Sequence, residues 1–283
     1  MRSTSVCCQC SWFVSDGVGI GCAIFTYLLV AYAEFVVVFV ILLPEIPLAG
    51  VGLLHAILFT YIAILAIVAH VRAMLTDPGT IPLGNCTTEN LKKLRLAEGQ
   101  TVLRCTRCEC IKLDRAHHCR YMYKLDRAHH CRYMYKLDRA HHCRINNCVG
   151  EDNQKYFILF TFYVFVVSIY SLVLAVRQVF ICTDREWLGC TGVPMPSSIL
   201  FIIFLVFEGL LFGIFTLVMF CSQVTSIARD ETGIESLKNE KRARKQTMYE
   251  NLQEVFGGKI SISWFSPFTG LSSKQTAYSF YEV

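Results

Sequence analysis

The stretch CTRCECIKLDRAHHCRYMYKLDRAHHCRYMYKLDRAHHCRINNCVG, residues 105–150, decides the organisation of the chain. It holds seven cysteines and six histidines, and the string LDRAHHC occurs three times, at 113–119, 125–131 and 137–143, with RYMYK between copies. These are the side chains that bind zinc and that activate thiols. The segment is dense in Cys, His, Lys and Arg and has no apolar period, which implies short hairpins pinned by metal. A solvated low-complexity loop is the bland alternative, and seven cysteines make it unattractive. Residues 120–131 and 132–143 are identical, so the duplication is either recent or an error of gene assembly.

Outward from this segment the chain turns apolar. The sequence is 54% hydrophobic, and that content gathers into four runs, at about 18–43, 51–71, 157–180 and 198–221. A helix needs about 20 apolar residues to cross a bilayer, and these runs are apolar on every side rather than along one stripe. The expectation is an α-helical integral membrane protein. Four transmembrane helices would flank a cytosolic, zinc-binding, cysteine-rich domain between helices 2 and 3. The first run is too long for a cleaved leader, and no small-residue cleavage site follows it. The expected divisions are an N-terminus to 17, helices 1 and 2 over 18–71, and a loop over 72–156 with its core at 105–150. Helices 3 and 4 over 157–221 and a tail over 222–283 complete the chain.

Loop charge sets the expected orientation. The loop after the second run and the tail, with Lys238, Lys241, Arg242, Arg244 and Lys245, are rich in cations. The loop at 44–50 has none, and the loop at 181–196 has one Arg against two acids. Both termini and the central loop are therefore expected on the cytosolic side. The net charge of +5 suits anionic lipid headgroups or a polyanionic small molecule, and nothing resembles a nucleic-acid reader. Disulfides are not expected among the cytosolic cysteines, whereas Cys182 and Cys190 lie in a lumenal loop that permits one. Cys7, Cys8 and Cys10 read either as acylation or redox sites or as inert surface thiols.

Further readings follow from single positions. Asp77-Pro78-Gly79 closes the second run with a turn, and residues 89–96 read as a short exposed helix. Glu34 and Glu208 lie inside spans, where an interhelical hydrogen bond is favoured over a polar partner for a buried ligand. The patches at 255–257 and 264–268 are too apolar for free coil and are expected to pack on the membrane or on the zinc domain.

A Cys-x-x-Cys pair such as Cys105 and Cys108 grips one metal from a tight turn. A cysteine beside histidines, with an acid nearby, can instead be a nucleophile. Asp-x-x-His-His-Cys occurs in all three copies, so spacing alone separates neither the copies nor a nucleophile from a ligand.

Cys105-Thr-Arg-Cys108, Asp114-Arg-Ala-His117-His118-Cys119 and Asn146-Asn147-Cys148-Val-Gly150 resemble the cysteine-rich domain of DHHC-type protein palmitoyltransferases. Asp77-Pro78-Gly79, Thr232-Gly233-Ile234-Glu235, Asn251 with Val255-Phe256-Gly257, and 264–268 resemble further motifs of that family in order. The stretches 153–157 and 207–211 look closest to its Golgi-resident branch. The resemblance implies transfer of a long-chain acyl group from acyl-CoA, such as palmitoyl-CoA, to cysteines of protein substrates through an acyl-cysteine intermediate. It also implies an acyl chain lodged between the spans and one or two structural Zn2+ ions.

The chain departs from the family pattern where a second set of zinc cysteines and a contiguous Asp-His-His-Cys would stand. By order, the resemblance makes Cys143 the nucleophile, His141 the base and Asp138 the group that orients it. Cys105, Cys108 and His118 would hold one metal, and Cys119, His142 and Cys148 a second. Each set is one ligand short. Cys131 with His129 or His130 could fill one gap, and Cys110 or a further His the other. A catalytically impaired, zinc-stabilised membrane scaffold of the same family is the alternative. The C-terminus, 279–283, ends in an apolar residue with Tyr two before it, which suits a PDZ-type partner or is a frayed tail.

Overall fold

The computed structural model describes residues 17–45, 50–76, 80–81, 103–104, 111–112, 117–118, 133–134, 147, 149–150, 152–230 and 247–269. Helix α1 spans Gly17–Phe35 and continues without a break as a π-helical segment, Val36–Leu42, closed by a 3-10 turn at Leu43–Glu45. Helix α2 is Val51–Leu75, α3 is Gln154–Asp184 and α4 is Ser197–Arg229. Among the described residues these four stretches, 26, 25, 31 and 33 residues long, are long and apolar enough to cross a membrane. Hydrocarbon offers the backbone no partner, so each span must satisfy its own peptide groups as helix.

The helices outrun the apolar segments that predict them. At 1.5 Å per residue, α3 and α4 are roughly 47 and 50 Å long, against about 30 Å of hydrocarbon. The surplus is polar: Gln154 and Lys155 open α3, and Ser222, Gln223 and Arg229 close α4. Helix α3 is the hub, with 56% of its apolar window buried, against 28% for α1, 33% for α2 and 28% for α4. Leu28, Leu54, Ile57, Phe204, Phe207 and Ile214 face outward, toward the space lipid would fill. The inner cluster joins Val36, Val40 and Ile41 of the π segment to Phe59, Leu174, Ala175 and Leu205. Gly209 lets α4 close on α3, since a Cβ there would lie 2.9 Å from Leu172 Cγ and 3.3 Å from Ser171 Oγ.

Both interior glutamates, Glu34 and Glu208, bury an Oε2 without a hydrogen-bond partner. Through Oε1, Glu34 accepts a hydrogen bond from Thr60 Oγ1, tying α1 to α2 as the favoured reading holds.

Between α3 and α4, Cys182 and Cys190 form the disulfide the sequence permits. Gln178 Nε2 donates to the Cys190 carbonyl, and Gly192 N donates to Val40 O at 2.9 Å. The loop is thereby docked on the π-helical end of α1.

The cysteine-rich stretch contributes short antiparallel strands. β2 (Leu103–Arg104) pairs with β3 (Ile111–Lys112), and β5 (Tyr133–Met134) lies between β1 (Thr80–Ile81) and β4 (His117–His118). Beyond α4, helix α5 (Met248–Phe256) opens with a capping box between Thr247 and Glu250 and ends at Gly257, whose φ of 87° suits a residue without Cβ. A 3-10 turn at Ile262–Trp264 follows.

Candidate functional site

Of the expected site residues, His118 alone falls among the described positions. Its backbone, in β4, pairs with Tyr133 of the second RYMYK linker. Cys143, His141, Asp138, Cys105, Cys108, Cys119, His142, Cys148 and Cys131 lie outside the described residues. So do Cys110, His129, His130, the 77–79 turn, the 89–96 stretch, the 232–235 motif, Cys7, Cys8, Cys10 and the C-terminus. Among the described residues no cluster of three His, Cys, Asp or Glu forms a metal site. What is described is the frame that holds this segment.

Both ends of that frame meet at the last turn of α2. Asn147 is fully buried, and its Nδ2 reaches the carbonyls of Ala73 at 3.2 Å, Met74 at 3.0 Å and Thr76 at 2.8 Å. Asn153, also fully buried, donates from Nδ2 to Ala73 O at 3.0 Å and accepts from Gly150 N at 2.6 Å. A helix leaves its last carbonyls without intrahelical partners, and here two amide side chains from the far end of the loop supply them. Thr76, which caps α2, thus shares a hydrogen bond with Asn147, 71 positions further on.

The C-terminal segment locks this end. Lys155 Nζ donates to Ser263 O at 2.9 Å and to Thr269 Oγ1 at 2.8 Å. Arg72 donates to Pro267 O at 2.9 Å and Phe268 O at 3.0 Å, with its guanidinium 4.7 Å from the Tyr156 ring centre. Tyr163 OH donates to Phe265 O. Asn251 Nδ2 donates to Ala228 O at the end of α4. The sequence motifs around Asn153 and Asn251 signalled these contacts without saying what they bind. Arg72 and Tyr163 carried no signal.

A cavity of about 40 Å³ lies between α1, α3 and α4. Leu29, Ala33, Val167, Leu205 and Phe212 are among its lining, with Thr26, Ser168, Ser171 and Glu208 as its polar members. Tyr27 OH and His70 Nδ1, 2.9 Å apart, tie α1 to α2. In the tail, the Thr247 backbone N–H and hydroxyl hold the Glu250 carboxyl below the ordinary carboxylate range.

A family model described as DHHC palmitoyltransferase matches residues 101–240. Palmitoyltransferase ZDHHC3-A of Danio rerio is 47% identical over 265 residues, covering 93% of this chain and 81% of that protein. The chain belongs to the DHHC palmitoyltransferase family. Human palmitoyltransferase ZDHHC3 is 47% identical, covering 91% of this chain and 83% of that protein. Palmitoyltransferase ZDHHC7 of Rattus norvegicus is 43% identical, covering 92% and 81%. The enzyme class is thus that of a protein S-palmitoyltransferase built on four membrane helices. The Asn147 and Asn153 anchors lie inside the matched region.

Proposed function

We propose that this chain transfers a long-chain acyl group from acyl-CoA to protein cysteines in two steps, with Cys143 as nucleophile. The Cys143 thiol gives its proton to His141, and the thiolate attacks the thioester carbonyl of acyl-CoA. The bond to the CoA sulfur breaks, CoA leaves as a thiol with that proton, and the acyl group stays on Cys143. A substrate thiolate then attacks the acyl-cysteine and restores Cys143. Asp138 orients His141. Palmitoyl-CoA is the proposed donor; the cavity of about 40 Å³ between α1, α3 and α4 is mostly apolar but far smaller than a palmitoyl chain, so the helices must part to admit one.

The donor chemistry fits zinc. The β2–β3 pair flanks residues 105–110 in sequence, and a Cys-x-x-Cys pair such as Cys105 and Cys108 is of the kind that grips one metal. Cys105, Cys108 and His118 would hold one ion, and Cys119, His142 and Cys148 the other, with Cys131 completing one set. Zinc bound there would supply folding free energy to the segment. Loop charge supports a cytosolic site, and the stretches 153–157 and 207–211 support a Golgi membrane. Membrane lipid and a PDZ-type domain at the C-terminus complete the proposed partners.

The observation that supports this reading is the pinning of Asn147 and Asn153, at the C-terminal end of the cysteine-rich segment and just beyond it, to the Ala73 carbonyl in the last turn of α2. Labelling with a clickable palmitate analogue tests it. Wild type labels, Cys143→Ser does not, and Cys131→Ser retains label. Full labelling of Cys143→Ser with loss in Cys131→Ser moves the nucleophile to the second copy. The altered Asp-His-His-Cys favours the scaffold as a second reading. Absence of label on wild type with two bound zincs per chain establishes that one.

A further inference from the structure

The segment from Ile260 to Thr269 is held to the bundle almost wholly by its main chain. The carbonyls of Ser263, Phe265, Pro267 and Phe268 accept from Lys155, Tyr163 and Arg72. Main-chain anchoring leaves its side chains free to serve another surface. Trp264 and Pro267 turn inward, and the Trp264 ring stacks on Phe256 with centres 4.9 Å apart. The outward large side chains are all apolar: Ile260 is 64% exposed, Ile262 90%, Phe265 53% and Phe268 63%. Ile262, Phe265 and Phe268 recur every third residue and make one row. A water-facing strap would carry polar residues there, and a contiguous apolar patch marks an interaction surface.

The height of the row identifies its partner. Tyr163, which holds Phe265, is six residues, roughly 9 Å, inside the apolar run that begins at Phe157. Its side chain leans back toward the start of α3, which brings the strap to the edge of that run. The Phe265 ring lies 6.1 Å from Phe162, itself 5.6 Å from Phe220 of α4, so the row continues the apolar flank of two spans. Arg72, which holds Phe268, stands in the last turn of α2. Lys259 is exposed just before the row, a cation at headgroup level.

From this geometry we infer that residues 260–269 form an in-plane membrane anchor. The rings of Phe265 and Phe268 and the side chains of Ile260 and Ile262 enter the acyl-chain layer of the leaflet beside α2 and α3. In-plane segments of this kind bury their apolar side by about 5–10 Å. The strap thus joins the tail to the bundle on one side and to lipid on the other.

The full chain is reconstituted in phosphatidylcholine nanodiscs with a trace of phosphatidylcholine bearing a diazirine on its acyl chain, irradiated, digested and mapped by mass spectrometry. Peptides covering 260–269 are expected to carry lipid adducts at a yield comparable with the outward face of α4. Phe265→Ser with Phe268→Ser is expected to lower the strap adduct about tenfold and leave the α4 adduct unchanged. Should the double variant fail to yield a monodisperse protein, Phe268→Ser alone is expected to lower the adduct at least twofold. Adducts on α4 with none on 260–269 overturn the inference. So does labelling of the strap by a water-soluble diazirine alone, or a cross-link from the strap to a second copy in place of lipid.

Discussion

Gly192→Ala should undock the disulfide loop from α1. A Cβ at this position would lie 2.1 Å from Phe39 O, 3.3 Å from Phe39 C and 3.8 Å from Val40 Cα, all backbone atoms of the π-helical segment. Backbone in a helix cannot swing aside as a flexible side chain does, so the loop must retreat by about 1 Å or more to reach ordinary contact. That retreat breaks the hydrogen bond from Gly192 N to Val40 O. A clash with backbone that cannot yield costs about 1–3 kcal/mol, by analogy with overpacking. A buried carbonyl left unpaired costs about 1–3 kcal/mol more, and Val40 is fully buried. The sum is about 2–6 kcal/mol. At roughly 2–4 °C per kcal/mol for a chain of this class, the expected fall in Tm is about 4–24 °C. The assay is thermal loss of the monodisperse peak in detergent, with Gly21→Ala as control because nothing lies within 4 Å of its Cβ. A Gly192→Ala protein that melts within a degree or two of wild type would refute the docking described for this loop.

Three further outcomes are expected. Glu208→Leu replaces the cavity's carboxyl with an apolar side chain, and longer acyl-CoA chains should gain by up to about fourfold per methylene, the ratio that corresponds to about 0.8 kcal/mol; Glu208→Gln should keep the wild-type profile, and an unchanged chain-length profile in Glu208→Leu counts against the cavity as acyl site. Asn147→Ala leaves the carbonyls of Met74 and Thr76 short of a donor, while Ala73 keeps Asn153, and should cost about 1–3 kcal/mol, read as a fall in Tm. Glu250 has its folded pKa depressed, so its capping contribution is present above the unfolded value of about 4.3 and is lost as pH falls through the lower folded value. Hydrogen exchange over 247–256 should therefore quicken below about pH 4 beyond its intrinsic trend, and Glu250→Gln should flatten that rise.

The four spans were readable because lipid imposes one rule on every residue in them, so apolar length alone locates the hydrocarbon-spanning part. Their true ends were not readable. Lys155 extends α3 because a carbonyl 108 positions away receives its ammonium, and the end of α2 is completed by Asn147, 74 positions from Ala73. Such pairings leave no local trace. The π-helical turn was equally silent, since Val-Val-Val-Phe-Val-Ile-Leu is apolar in any helical register. The Cys182–Cys190 bond was legible from compartment and spacing. In the cysteine-rich segment the motifs disclosed the family, but three identical His-His-Cys copies carry no mark of register. The pairing of His117–His118 with Tyr133–Met134 is a property of the fold that no spacing rule distinguishes from its alternatives.

The shared carbonyl of Ala73 bears on how such a chain can change its length. Asn147 and Asn153 both close on this one atom, and neither bond depends on how much chain precedes them. Closing a longer loop costs little, about 0.6 kcal/mol for each doubling. A twelve-residue unit can be copied into this loop without moving Thr76, Asn147 or any helix. The bundle is in that sense a socket, and the cysteine-rich segment is the part that evolution can rewrite while the socket stays closed.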